Sequence, residues 1–226
     1  MPAEISIVIP TLNVDAELPG CLEALMEGLA AGLIRELVIS DGGSQDATLQ
    51  IAEAAGARVV EGPASRGGQL RRGCAEARGN WLLVLHADTQ LAPGWSQVVS
   101  QHVQHGQGRP AYFKLGFRAS GVMPGLVAGW ANLRSRVFGL PYGDQALLIR
   151  RSMYDAAGGY PDQVLMEDVA LVRRLRGLVM LPARALTSAQ RYQQQGWLRR
   201  GARNLWLLLR YFAGASPDTL ARSYGK

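Results

Sequence analysis

The chain has little lysine, two cysteines, three histidines and no long apolar run, and each shortage narrows what it does. Of the 24 basic residues only Lys114 and Lys226 are lysine. The turn after the first strand, Thr11-Leu12-Asn13-Val14-Asp15, has neither Lys nor Gly, which disfavours a triphosphate-gripping loop of the kind sugar nucleotidyltransferases use. Cys21 and Cys74 fall in predicted helices with no zinc or disulfide spacing, so they read as buried free thiols of a reducing cytoplasm. The longest uncharged apolar stretches, 119–133 and 204–209, are broken by Gly, Pro and Asn. They fall short of the roughly 20 residues that span a bilayer. With Glu4 and a strand pattern opening the chain, no signal peptide is expected, and the reading is cytoplasmic.

Acid is scarce in one place only. Residues 191–226 carry seven basic side chains against Asp218, whereas residues 1–190 balance at 17 of each sign. The whole net charge of +6 therefore lies at the carboxyl end. A nucleic-acid groove would spread its basic surface through the fold, so nucleic acid is not an expected partner. A basic terminal helix suits phosphates, an anionic membrane surface or an acidic partner.

What is present is an α/β pattern over 226 residues with 48% hydrophobic content, enough for one large core. The spacing predicts strands over 5–10, 36–40, 57–61 and 81–86, alternating with helices over 15–31, 46–55, 68–78 and 94–104. That order gives a mostly parallel sheet flanked by helices, with right-handed crossovers. After a loop at 105–110 the pattern predicts a half-exposed strand over 112–117, a helix over 122–137 and a buried strand over 145–151. Helices over 167–176 and 195–213 follow, then a loose end at 214–226. The chain divides into a nucleotide-binding half (1–108), an acceptor half (109–190) and a basic terminal helix and tail (191–226) of one domain.

Two of the early strands end in acids, Asp41 and Asp88, and a later helix opens with Glu167-Asp168. Ligands of open parallel sheets sit at the carboxyl ends of the strands, so both strand-end acids are expected at one crevice. Asp41-Gly42-Gly43-Ser44 offers a carboxylate and backbone N–H groups to a ribose or base, though a polar turn explains it equally well. Asp88, in His86-Ala87-Asp88-Thr89, suits Mg²⁺ or Mn²⁺ on a diphosphate. Arg66-Gly67-Gly68-Gln69, with Arg71 following, reads as an anion site at a helix start or as a solvated loop. Glu167 and Asp168 suit either a helix N-terminus or a general base.

In this order the motifs resemble the family 2 inverting glycosyltransferases of the GT-A fold. Arg66-Gly67-Gly68-Gln69-Leu70, His86-Ala87-Asp88-Thr89, Gly143-Asp144-Gln145-Ala146 and Leu165-Met166-Glu167-Asp168-Val169 are similar to a compact subgroup labelled arsenosugar-biosynthesis-associated glycosyltransferases. The resemblance implies a nucleoside-diphosphate-sugar donor. Pro10, Thr11, Asn13, Asp41 and Gly42 would hold its nucleoside. Arg66, Gln69, Arg71, Ala87 and Asp88 would bind the donor as well, with Asp88 on the metal, Mg²⁺ or Mn²⁺, that holds its diphosphate, aided by an Arg of the 66–72 loop. Gly143, Asp144 and Gln145 would meet sugar or acceptor, Asp168 would be the base and Glu167 its neighbour. Two departures stand out: His86 replaces the first acid of the D-x-D element, and Asn13 is followed by Val14 instead of Glu. The Q-x-x-R-W element of processive synthases is absent, which points to a single transfer.

The acceptor is a small molecule or a lipid-linked one, and the rival readings are a sugar nucleotidyltransferase and a binding protein that has lost catalysis. For 195–213, packing on the domain or on a second subunit, as in a homodimer, is the preferred reading. Peripheral contact with a membrane is the alternative.

Overall fold

The computed structural model describes residues 4–224. Its first four strands, β1 (Ile5–Thr11), β2 (Ile34–Asp41), β3 (Arg58–Glu61) and β4 (Trp81–Val84), are parallel and joined through α1 (Leu18–Ala30), α2 (Thr48–Ala54) and α3 (Arg66–Glu76). The chain continues through β5 (Thr89–Leu91), α4 (Trp95–His105), β6 (Ala111–Phe117), α5 (Val122–Phe138) and a 3₁₀ turn at Gly143–Gln145. It ends with β7 (Leu147–Arg150), α6 (Arg151–Ala156), α7 (Glu167–Val172), β8 (Val179–Thr187), α8 (Gln190–Gln195), α9 (Trp197–Phe212) and α10 (Pro217–Tyr224). All eight strands form one sheet in the order β3-β2-β1-β4-β7-β6-β8-β5.

The apolar run of β1 is continuous because both sheet faces are covered. Ile5, Ile7 and Ile9 enter the core under α1 and α4, while Val8 enters the core under α3, α6 and α7. Cys21 and Cys74 are free, buried and on opposite faces, and burial pushes both thiols up to about 12.

Strand direction decides where the site forms. The chain steps from β1 outward to β2 and β3, then returns through α3 to β4 on the other side of β1. That reversal opens a crevice between the carboxyl ends of β1 and β4. β7 runs antiparallel to β4, so the segment that leads into β7 arrives at the same edge. β8 is parallel to β6, which is itself antiparallel to β7, so β8 ends at that edge too.

Several sequence expectations need correction. β6 is almost entirely buried, because β7 and β8 flank it and α5 packs on it. β8, which has Pro182 inside it, was not among the expected strands. The proline sits where the β6–β8 register slips between Phe113 and Lys114, at a position that needs no ladder donor. The 214–226 end is not loose over its described part: α10 buries Leu220 against Leu207 and Leu208 of α9. The packing preferred for 195–213 covers only part of its apolar surface, for Leu198, Leu205, Trp206, Leu209 and Phe212 stay exposed. Among the described residues no helix is long and apolar enough to cross a membrane.

Candidate active site

A cleft of about 580 Å³ opens at the carboxyl edge of the sheet. Pro10, Thr11, Asn13, Arg66, Gln69, Ala87, Asp88, Gly143, Asp144, Glu167 and Asp168 line it. Asp41, Gly42, Arg71 and Gln145 do not. Those four lie behind the wall or outside it.

Asp41 is fully buried and its carboxylate is already engaged. Oδ1 accepts from the hydroxyls of Thr11 (2.8 Å) and Ser44 (2.6 Å), and Oδ2 accepts from the N–H groups of Gly43 and Ser44, both at 2.7 Å. Burial alone would raise its pKa, but these bonds outweigh it and hold the carboxyl below its ordinary value. Asp41 therefore shapes the turn that carries Ser44, whose Oγ accepts from Asn13 N at 2.9 Å. Asn13 itself takes a left-handed backbone (φ 51°) and reaches back to Gln45 N with its side chain. A base contact by Asp41 would have to displace one of its present partners.

The Arg66-Gly67-Gly68-Gln69 motif lies inside the first turn of α3, capped by Ser65. Its glycines serve close approach to the 161–163 loop. Gly67 N donates to Gln163 O at 3.0 Å, and a Cβ on Gly67 would lie 2.1 Å from Pro161 O. Ser65 Oγ donates to Asp162 Oδ1 at 2.6 Å, so this helix start is occupied by the protein's own groups. Gln69 is buried and its amide donates to Thr11 O (2.7 Å) and Ser40 O (3.2 Å), stapling the ends of β1 and β2. Gln69→Ala leaves two buried carbonyls without this donor and is expected to lower stability by about 1–3 kcal/mol. Chemical denaturation measures it, and a loss too small to resolve would remove Gln69 from this role. Arg71 is exposed outside the cleft.

Acids gather on the opposite wall. Asp168 Oδ2 accepts from Gly143 N and Oδ1 from Val169 N, each at 2.7 Å. Glu167 is 1% exposed, neither of its oxygens has a hydrogen bond, and Arg66 Nε stands 3.8 Å away. Burial, and then the neighbouring Asp168, push Glu167 up to about 7, with Arg66 opposing them. Asp144 rises to about 6, first through burial and then through Asp168 and Asp88, with Arg134 opposing. The His86 ring packs under Gly143, where a Cβ would meet Nε2 at 2.3 Å. Burial and then Arg66 lower His86 to about 4, so the imidazole is neutral near pH 7. Met166, just before the acids, and Ala146, just after the 3₁₀ turn, both have positive φ. Such strain persists where surrounding packing over-determines the loop.

Glu167 makes stability depend on pH in a defined direction. Its pKa is higher in the folded chain than its ordinary 4.5, so its contribution favours folding less as pH rises from about 4.5 to about 7. Glu167→Gln removes that penalty and is expected to gain about 1–3 kcal/mol over wild type at pH 8, and nothing at pH 4. Melting temperature against pH reads this; parallel curves would show that folding leaves the Glu167 pKa unshifted.

Sequence reasoning missed the third wall. Thr187 ends β8, Ser188, Arg191 and Tyr192 follow it, and Arg200, Asn204 and Leu207 of α9 face the same cleft. Arg200 is buried, donates to Gln195 Oε1 at 2.8 Å and stacks over Tyr192 at 5.3 Å. The concentration of basic residues after 190 was the available signal, and only the fold shows that part of it turns inward. Gln145, expected at the sugar, instead accepts from Ser135 Oγ (2.6 Å) and donates to Phe113 O (3.2 Å), tying the 3₁₀ turn to α5 and β6.

Among the described residues no three His, Cys, Asp or Glu side chains cluster to hold a metal alone. The donor set still fits a divalent ion shared with a ligand's phosphates. Asp88 faces the cleft with only a 3.4 Å contact from Thr89 Oγ1, and the buried Asp144 Oδ1 has no partner. Mg²⁺ commonly binds through one or two carboxylates plus substrate oxygens.

Residues 6–113 match the family model described as Glycosyl transferase family 2. PGL/p-HBAD biosynthesis glycosyltransferases of Mycobacterium bovis and Mycobacterium tuberculosis are 33% identical over 164 residues, which cover 69% of this chain and 62% of theirs. A dolichyl-phosphate beta-glucosyltransferase of Drosophila melanogaster is 33% identical over 122 residues, 41% of this chain and 37% of that protein. The chain thus spans less than two thirds of the length of these curated relatives. TarS of S. aureus superposes with a TM-score of 0.64 at 16% identity, covering 82% of this chain and 60% of TarS. Glucosyl-3-phosphoglycerate synthase of Mycobacterium tuberculosis, solved with Mn²⁺, UDP and phosphoglyceric acid, gives 0.55 at 24%, covering 78% and 67%. At such identities the structural likeness is one of fold. The chain has the mostly parallel α/β GT-A fold of these transferases, and over residues 6–113 it is similar to glycosyl transferase family 2.

Proposed function

We propose that the protein moves a single sugar from a nucleoside-diphosphate sugar to an acceptor hydroxyl, by direct displacement with inversion. One observation carries the reading: Asp88, Asp144, Glu167 and Asp168 line one cleft with Arg66 and Arg191, at the edge where the strand order reverses. Asp168 is the base. Each of its oxygens accepts one N–H, which fixes the carboxylate and leaves lone pairs for an acceptor proton. Glu167, pushed up to about 7, limits the negative charge beside it and stands against Arg66. Arg66 and Arg191 both depress the His86 pKa through their charge, so both act on the floor of the cleft. They supply positive charge to a departing diphosphate. Asp88 would hold Mg²⁺ or Mn²⁺ together with the donor's own oxygens, and such an ion neutralises charge on the leaving group.

Bound UDP in TarS and in the synthase supports a uridine donor. The resemblance to the arsenosugar-associated subgroup supports a small hydroxylated acceptor. Calorimetry with UDP, GDP, dTDP and CMP, with and without Mn²⁺, tests the site. Binding of one diphosphate, strengthened by Mn²⁺, is expected; failure of all four would end the transferase reading. Asp88→Ala is expected to abolish the strengthening by Mn²⁺ and to leave metal-free binding unchanged. A full Mn²⁺ response in that variant would move the ion elsewhere.

A further inference from the structure

α5 and α9 pack against each other, and both turn apolar side chains to solvent. On α5, Val122, Leu126, Trp130, Leu133 and Val137 recur at helical spacing and are 53–77% exposed. On α9, Leu198, Leu205, Trp206, Leu209 and Phe212 form a second such stripe, 37–73% exposed. Among the described residues, eleven of the fifteen exposed large hydrophobic ones lie on these two helices, counting Phe138. Scattered exposed apolar residues need no explanation, but a row on each of two contacting helices, with a tryptophan in each, does.

Charge selects what covers them. Neither helix contains an acid, and no Asp or Glu occurs between Asp168 and Asp218. Arg199, Arg203 and Arg210 fall at i, i+4 and i+11 along one border of the α9 stripe, and Arg136 borders the α5 stripe. A second copy of this face would bring the same arginines together with no carboxylates on either helix to meet them. An apolar row edged by arginine and carrying tryptophan matches the interface of an anionic bilayer.

We propose that the α5–α9 face docks the protein onto anionic phospholipid, with the two apolar rows in the headgroup boundary and the arginines on the phosphates. The opposite side of α9 supplies Arg200, Asn204 and Leu207 to the cleft, so the helix that meets the lipid is also a wall of the site. The proposal stands apart from the transferase reading, because vesicle binding is measured without a donor.

Flotation with vesicles of phosphatidylcholine and phosphatidylglycerol is compared with phosphatidylcholine alone, alongside light scattering of the free protein. Binding is expected only with the anionic lipid, and to weaken as salt rises. Trp130→Ser and Trp206→Ser together are expected to lower partitioning by about tenfold or more, as the apolar area lost predicts. Arg136→Glu with Arg199→Glu is expected to do the same. Unchanged melting and unchanged nucleotide binding show that these variants are folded. Absence of binding to the anionic vesicles, or binding indifferent to the tryptophans, overturns the proposal. Self-association that the tryptophan variant dissolves also overturns it, and assigns the face to a second copy.

Discussion

Asp168→Asn is expected to lower turnover by about 10²–10⁴, the usual cost of removing a positioned base, with nucleoside-diphosphate binding retained. The geometry makes the test sharp. Asp168 receives one N–H on each oxygen, from Gly143 and Val169. Asparagine keeps the size of the side chain and one acceptor, yet loses the charge and cannot take the acceptor's proton. It also leaves one N–H facing an amide, so some loss through a shifted Gly143 is expected. The pH profile separates the two effects. Loss of the base removes the acid limb of kcat/KM, whereas a displaced turn lowers the whole profile and keeps its shape. Turnover within a few fold of wild type would dismiss Asp168 as base and turn attention to Glu167, whose pKa of about 7 would suit the task.

The second large effect is structural. Gly67→Ala is expected to destabilise by about 3 kcal/mol or more, at the severe end of overpacking. The added methyl would lie 2.1 Å from Pro161 O and 2.8 Å from both N and O of Gln163. These are backbone atoms, so no rotamer change relieves the contact. The start of α3 must part from the loop that leads into Glu167-Asp168, and Arg66 moves with it. A melting temperature lower by about 6–12 °C is the expected reading. Gly125→Ala on the outside of α5 is the control: nothing lies within 4 Å of its new Cβ, and helix propensity favours alanine by up to about 1 kcal/mol. Equal melting of the two variants would show that α3 does not depend on this close contact.

The first half of the fold was legible because its signals are local. Ile5 to Thr11 is an apolar run of strand length, and the order of strands and helices implies a parallel sheet. β8 was hidden because a bulge excuses Pro182, and only pairing with β6 reveals the bulge. The acids of the site were legible as strand and helix ends, yet their duties were not. Asp41 looked like a ligand-facing acid, but its neighbours already satisfy it; spacing cannot show which lone pairs remain. The glycines before Gln69 looked like an anion cradle, and the structure gives them to the 161–163 loop, a contact nearly a hundred residues away in sequence. Arg191, Tyr192 and Arg200 escaped notice as site residues, because a basic amphipathic segment reads the same whichever way it turns.

The two sides of α5 answer to different demands. Its inner side is stitched to the 3₁₀ turn through Ser135, Asn132 and Gln145, and the same turn offers Gly143 N to Asp168. A change at Asn132, which does not line the cleft, should therefore register at the base, while Leu126 or Trp130 can change without disturbing it. Over generations the inner residues of this helix should drift slowly and together. The outer ones should drift freely within whatever chemistry the surface beyond them requires.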